Sequence, residues 1–216
     1  AKLFLNNLYG KMASNTDSSF KVAYVKEDKS LGFISVCESN KQAGYIPVGS
    51  AITSYARNFT IRAAQKNYYG VDKCGFIYAD TDSIHCDLPP EKIKGIKVDD
   101  KNFCCWKLEA SWDKAIFVRQ KTYIERVIAE NLKPIDTPYY NVKCAGMPEK
   151  CKNLFIKSMT NNAIKKGEKY TEEEQKFLSV KRDLTDFKIG LIVPSKLLPK
   201  RIRGGVLLVD TTYQMR

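Results

Sequence analysis

The sequence predicts an α+β fold: short antiparallel strands paired in hairpins, helices packed on them, one projecting hairpin and a small C-terminal lobe. Three observations carry that expectation. Apolar residues recur at helical spacing in residues 1–15 and 47–69. Pairs of short apolar runs close over polar turns at 21–36 and 76–86. The charge balance shifts past residue 143, where residues 143–216 hold sixteen Lys or Arg against eight Asp or Glu.

The chain has 216 residues, 44% hydrophobic and 28% charged, the composition of a folded domain or two small ones. Its net charge of +12 makes a polyanion the expected partner. Aromatic residues lie among the cations at Lys66, Tyr68 and Tyr69 and again at Arg119, Lys121 and Tyr123, which favours nucleic acid over a membrane surface. There is no run of eighteen apolar residues and no signal peptide, so no membrane partner is expected. Seven cysteines (Cys37, Cys74, Cys86, Cys104, Cys105, Cys144 and Cys151), no C-x-x-C and one histidine argue against a disulfide framework and a structural zinc site. A reducing, cytosolic setting follows. The first residue is Ala1, inside a helical pattern, which predicts a piece of a longer protein.

In chain order, residues 1–15 predict a helix with Phe4, Leu5, Leu8 and Met12 on one packed arc and Lys2, Asn6 and Tyr9 on the next. That second arc is either a surface stripe or a nucleotide contact, with Lys2 on phosphate and Tyr9 against sugar or base. Gly10 admits a close backbone or marks a weak point of the helix. Residues 16–44 predict a projecting hairpin with a polar turn at 26–30, too short to fold alone. From 47 to 69 the helical stripe is Ile52, Tyr55, Ala56, Phe59 and Ala63, and Gly70 ends it. Thr53 and Arg57 lie off the stripe, either solvated or against a phosphate backbone. Residues 106–115 predict a short helix. Residues 116–129, read as one strand, put Arg119, Lys121 and Tyr123 on one face, suited to phosphate contacts. Beyond 143, a helix over 149–166, a helix start at 171–174 and a strand at 205–210 form the C-terminal lobe.

Phe76-Ile-Tyr-Ala-Asp80-Thr-Asp82-Ser-Ile-His-Cys-Asp87 is the stretch that the rest of the chain serves. Two apolar runs flank Asp80-Thr-Asp82-Ser83, a hairpin whose turn carries two carboxylates. Residues two apart on an extended backbone point the same way, so Asp80 and Asp82 can share a face and a cation. The pair is either ordinary turn chemistry or a Mg²⁺ site. A calcium loop is excluded, because Ile84 and His85 replace an oxygen ligand and the turn glycine.

Taken in order, Lys2-x-x-x-Asn6-x-x-Tyr9-Gly10, Tyr78-x-Asp80-Thr-Asp82-Ser83 and Lys121-x-Tyr123 resemble the C-terminal part of a family B DNA polymerase. The segments KLFLNNLYGKMASN, YADTDSIH, RQKTYI and KCAGM look like the protein-primed, phi-twenty-nine type, with the similarity running from Ala1 to GGVLLVD.

The resemblance implies residues 1–15 as the end of a fingers helix, 16–44 as the second terminal-protein-region insertion, 45–143 as an antiparallel-sheet palm and 144–216 as a thumb. It implies Asp82 as the direct Mg²⁺ ligand of a two-metal site, supported by Asp80. Lys2, Asn6, Tyr9 and Tyr78 would bind the incoming deoxynucleoside triphosphate. Gly10, Thr53, Arg57, Lys121, Tyr123 and Lys143 would touch DNA. The implied partners are a primed DNA template, the nucleotide and a terminal priming protein. The family's other metal-binding aspartate and its exonuclease lie upstream of the segments matched here. Half a metal site, and no polymerase activity from the chain alone, are therefore expected. The competing expectation is a DNA-binding module without catalysis.

Overall fold

The computed structural model describes residues 2–14, 19–37, 44–160, 169–203 and 205–216, with the backbone alone of Lys2. Among them are four α-helices and nine strands, in small sheets ordered β1-β2, β3-β4, β5-β6-β7 and β8-β9. The chain divides into two compact units, residues 1–95 with 203–205, and residues 96–202 with 206–216.

In the first unit α1 (Lys2–Met12) packs on α2 (Ile46–Lys66), and α2 packs on the hairpin of β3 (Phe76–Asp80) and β4 (Ser83–Cys86). The α1–α2 approach is close, because Gly49 is buried where a Cβ would lie 3.1 Å from the Cβ of Ala13. The arc of Phe4, Leu5 and Leu8 is not covered as expected; all three are exposed, Phe4 at 71%. On α2 the expected stripe is buried at Ala63 but exposed at Ile52, Tyr55 and Phe59, and the other buried residues are Gly49 and Thr60. Helical period fixes which residues share a side, but small residues let the hairpin come close, and that side is the one covered. The helix ends at Lys66 rather than at Gly70, which lies at φ +125° in the connection to β3. β1 (Ser19–Val25) and β2 (Leu31–Cys37) pair antiparallel in full register, with every residue but Gly32 exposed to some degree.

In the second unit β5 (Ala110–Arg119), β6 (Thr122–Glu130) and β7 (Lys133–Cys144) form an antiparallel sheet. This corrects two expectations. Residues 106–115 are not helical: Trp106, Leu108, Ala110 and Trp112 alternate with polar residues, a period of two that suits a strand. Residues 116–129 are two strands, with Gln120 and Lys121 as the turn and Lys121 at φ +58°. Arg119, Lys121 and Tyr123 therefore do not share one strand face.

Ile124, Val142 and Cys144 of the sheet pack on α3 (Glu149–Thr160), α4 (Glu172–Ser179) and the ribbon of β8 (Ile192–Ile202) and β9 (Gly205–Gln214). Phe155 and Phe187 are fully buried with ring centroids 5.6 Å apart, each contributing about 1.5–3 kcal/mol by burial. The α4 start expected at 171–174 is a capping box, in which Thr171 accepts from the Glu174 N–H and the Glu174 carboxylate accepts from the Thr171 N–H. The expected helix over 149–166 is described to Thr160, and its remainder lies outside the described residues. Among the described residues no helix is long and apolar enough to cross a membrane.

Candidate functional site

Asp80 pairs with Ser83 as the last rung between β3 and β4, so Thr81 and Asp82 form a two-residue turn. Such turns need positive φ at the first central position, which usually selects glycine. Here it is Thr81, at φ +49°. The chain thus turns between the two carboxylates, as the expected hairpin requires, and only the extended-backbone argument for a shared face does not apply to them. The turn nonetheless keeps them two residues apart at one tip, Asp80 half-buried and Asp82 exposed.

Side chains fasten this tip. The Thr81 hydroxyl donates to Asp80 Oδ1 at 3.1 Å, and the Ser83 hydroxyl to the Asp80 carbonyl at 3.1 Å. From α2, the Thr60 hydroxyl donates to the Thr81 carbonyl at 3.0 Å. Two rungs back, Tyr78 pairs with His85, their rings tilted at 5.5 Å. On β4 the Cys86 thiol is pushed up to about 11, by burial first and the Asp87 charge second, so it is protonated at neutral pH.

The base of the hairpin is tied to α2 by Asn67, which is fully buried and caps the helix. Its amide nitrogen donates to the carbonyls of Ala63 (2.8 Å) and Lys94 (2.9 Å), and its amide oxygen accepts from the Lys94 N–H at 2.8 Å. Its own carbonyl accepts from the Phe76 N–H at 2.8 Å, where β3 begins. Gly75 at φ +151° makes that approach feasible, since a Cβ there would lie 2.3 Å from the Asn67 carbonyl oxygen. Neither Thr60 nor Asn67 was singled out in the sequence. Both continue the buried arc of Gly49 and Ala63 at helical spacing, and a polar residue on a small-residue arc is the signal that could have found them.

Among the described residues no group of three or more His, Cys, Asp or Glu side chains gathers. Two carboxylates without a third protein ligand fit Mg²⁺, which takes one or two and completes its shell with water and phosphate oxygens. They do not fit a structural zinc site.

Of the other candidates in this unit, Asn6 is exposed, Tyr9 half-buried and Gly10 open, while the Lys2 side chain lies outside the described residues. Thr53 and Arg57 are exposed on α2, but the Thr53 hydroxyl turns back onto the carbonyls of Ser50 (2.9 Å) and Gly49 (3.3 Å). In the second unit Tyr123 and Lys143 are cross-strand partners, and the Tyr123 ring stacks on Phe117 at 5.2 Å. Lys121 sits in the adjoining turn, its carbonyl accepting from the Ala145 N–H at 3.0 Å. Beside them Glu125, 4% exposed, accepts from Asn141 at 3.1 Å on the same sheet face. Neither of these two was anticipated.

Comparison with known proteins adds the lineage. The profile of the family described as DNA polymerase type B, organellar and viral, matches residues 1–98. The DNA polymerase of Bacillus phage B103 is 37% identical over the whole chain, which covers 34% of that protein. The corresponding figures are 36% and 34% for Bacillus phage phi29, and 34% and 31% for Streptococcus phage Cp-1. Among solved structures, phi29 DNA polymerase complexed with primer-template DNA superposes with a TM-score of 0.70 at 34% identity, over all of this chain and 34% of that one. Its complex with primer-template DNA and incoming nucleotide gives 0.68. The chain spans about a third of the length of these relatives. Over its whole length the chain is thus similar to the phi29-type DNA polymerases, and over residues 1–98 it matches the type B DNA polymerases of organelles and viruses.

Proposed function

We propose that the chain carries the catalytic turn and the primer-holding surface of a DNA polymerase that adds deoxynucleotides to a primer 3′-hydroxyl. The observation that carries this reading is the Asp80–Thr81–Asp82 hairpin tip, held from α2 by Thr60, in a chain 36–37% identical throughout to phage DNA polymerases.

Asp82 holds Mg²⁺ and Asp80 supports it. Bound there, Mg²⁺ would offset charge on the reacting phosphate and lower the pKa of the attacking hydroxyl. Tyr78, two rungs behind, lines the nucleotide pocket. Lys2 offsets triphosphate charge, and Asn6 and Tyr9 contact the nucleotide from the same helix arc. Gly10, Thr53 and Arg57 face the DNA backbone. Lys143 and Lys121 neutralise phosphates of the primer strand while Tyr123, braced by Phe117, sets its end. In this assignment residues 45–143 are the palm and 144–216 the thumb. The β1–β2 hairpin is the insertion that encloses downstream DNA, and a terminal protein serves as primer. The phi29 polymerase complexes with primer-template DNA and incoming nucleotide support the DNA and the nucleotide as partners.

The test is Asp82→Ala in the complete protein that contains this chain. Single-nucleotide incorporation should fall by at least about 10³-fold, while primer-template affinity stays within about twofold. Unchanged incorporation would replace this reading with that of a DNA-holding module.

A further inference from the structure

Thr81 is β-branched and sits at φ +49°, where such residues are rarely found and where the neighbouring structure must hold them. The bonds from Thr81 and Ser83 to Asp80 join neighbours and move with the turn. The bond from Thr60 comes from another element, twenty-one residues away in sequence. Thr60 is 6% exposed on a helix whose end is itself fixed by Asn67. A helical threonine ordinarily turns its hydroxyl onto the carbonyl four residues back; here that acceptor, Ala56, is at 3.2 Å and the Thr81 carbonyl is nearer, at 3.0 Å. One hydroxyl proton serves both, and the bond to Thr81 is the one that crosses to the turn.

We propose that Thr60 is a positioning residue: its hydroxyl clamps the Thr81 carbonyl, holds the turn in its left-handed conformation and thereby sets the spacing of Asp80 and Asp82. The inference rests on reading that turn as the metal-holding site. Thr60 touches no reacting atom, so its contribution is geometric.

Thr60→Val keeps the shape and removes the donor, whereas Thr60→Ser keeps the donor. In the complete protein Thr60→Val should speed amide hydrogen exchange in residues 81–83 and weaken Mn²⁺ binding measured by electron paramagnetic resonance. It should also lower kcat for nucleotide addition by about tenfold or more, since small misplacements at reacting centres cost that much. Primer-template affinity should stay unchanged, and Thr60→Ser should restore all three readouts. Thr60→Ala serves the same comparison if valine crowds the helix–hairpin contact and the protein fails to fold. The cost of losing the hydroxyl should also shrink in a Thr81→Gly background, where glycine adopts positive φ unaided. Normal exchange and Mn²⁺ binding in Thr60→Val, or a serine variant as impaired as the valine one, would overturn the proposal. Asp82→Ala run in parallel separates the two claims: if it leaves incorporation intact, the reading of the site fails, whatever Thr60 does.

Discussion

Replacing Asn67 with alanine should destabilise the first unit more than any surface change on α2. The side chain is fully buried and makes three hydrogen bonds of 2.8–2.9 Å, two of them to the backbone of Lys94. Truncation leaves the Lys94 N–H and carbonyl without this partner in a partly buried place. At about 1 kcal/mol for each bond lost, with an added penalty for the stranded donor, the expected cost is about 2–4 kcal/mol. For a chain of this size that corresponds to a fall in Tm of about 5–15 °C, read by circular dichroism or scanning fluorimetry. Asn67→Asp sharpens the test. It keeps an acceptor for the Lys94 N–H but sets a buried carboxylate against the carbonyls of Ala63 and Lys94, which raises its folded-state pKa. The aspartate variant should therefore be the weaker of the two at neutral pH and recover relative to wild type as pH falls toward about 4, where protonation restores a donor. Because the Asn67 carbonyl also receives the Phe76 N–H, nucleotide addition should decline along with stability. An alanine variant within about 0.5 kcal/mol of wild type would refute the claim that this residue ties the hairpin to the helix.

Two further outcomes follow from charge and burial in the rest of the chain. Glu174 is 1% exposed; burial raises its pKa, but the Lys150 ammonium, the Ser195 hydroxyl and the Thr171 N–H outweigh that and hold it below the ordinary 4.5. A lowered folded-state pKa stabilises above the unfolded value and is lost as pH falls below it, so Glu174→Gln should flatten the acid limb of thermal stability below about pH 4.5, and Glu174→Ala should cost about 2–4 kcal/mol at pH 7. With its thiol at about 11, Cys86 should resist iodoacetamide at pH 8 while exposed Cys37, Cys74 and Cys104 are alkylated, as peptide mass spectrometry would show; Cys86 labelled as fast as these three would contradict its burial.

The hairpins were legible because their strands are short, apolar and closed by polar turns, and the Thr171–Glu174 box because capping chemistry is local. The strands β7 and β8 were not, since each carries two prolines (Pro134 and Pro138, Pro194 and Pro199), a residue that strands ordinarily exclude. Proline survives there because β7 is an edge strand and β8 belongs to a two-stranded ribbon, so N–H positions without a ladder partner exist. The carboxylate pair was visible from its spacing, whereas its geometry was not. The turn residues show that the chain reverses between Asp80 and Ser83, but not that Thr81 takes positive φ, nor that a threonine twenty-one residues earlier bonds to it. Contacts of that kind depend on which arc of α2 the fold covers, and the periodicity of α2 leaves that open.

The most direct measurement is anomalous diffraction from crystals of the complete protein grown with primer-template DNA, an incoming nucleotide and Mn²⁺ in place of Mg²⁺. The account predicts a peak about 2.1 Å from a carboxylate oxygen of Asp82, on the nucleotide side of the Thr81 turn. Manganese bound to the seated nucleotide with Asp82 outside its coordination shell would contradict it.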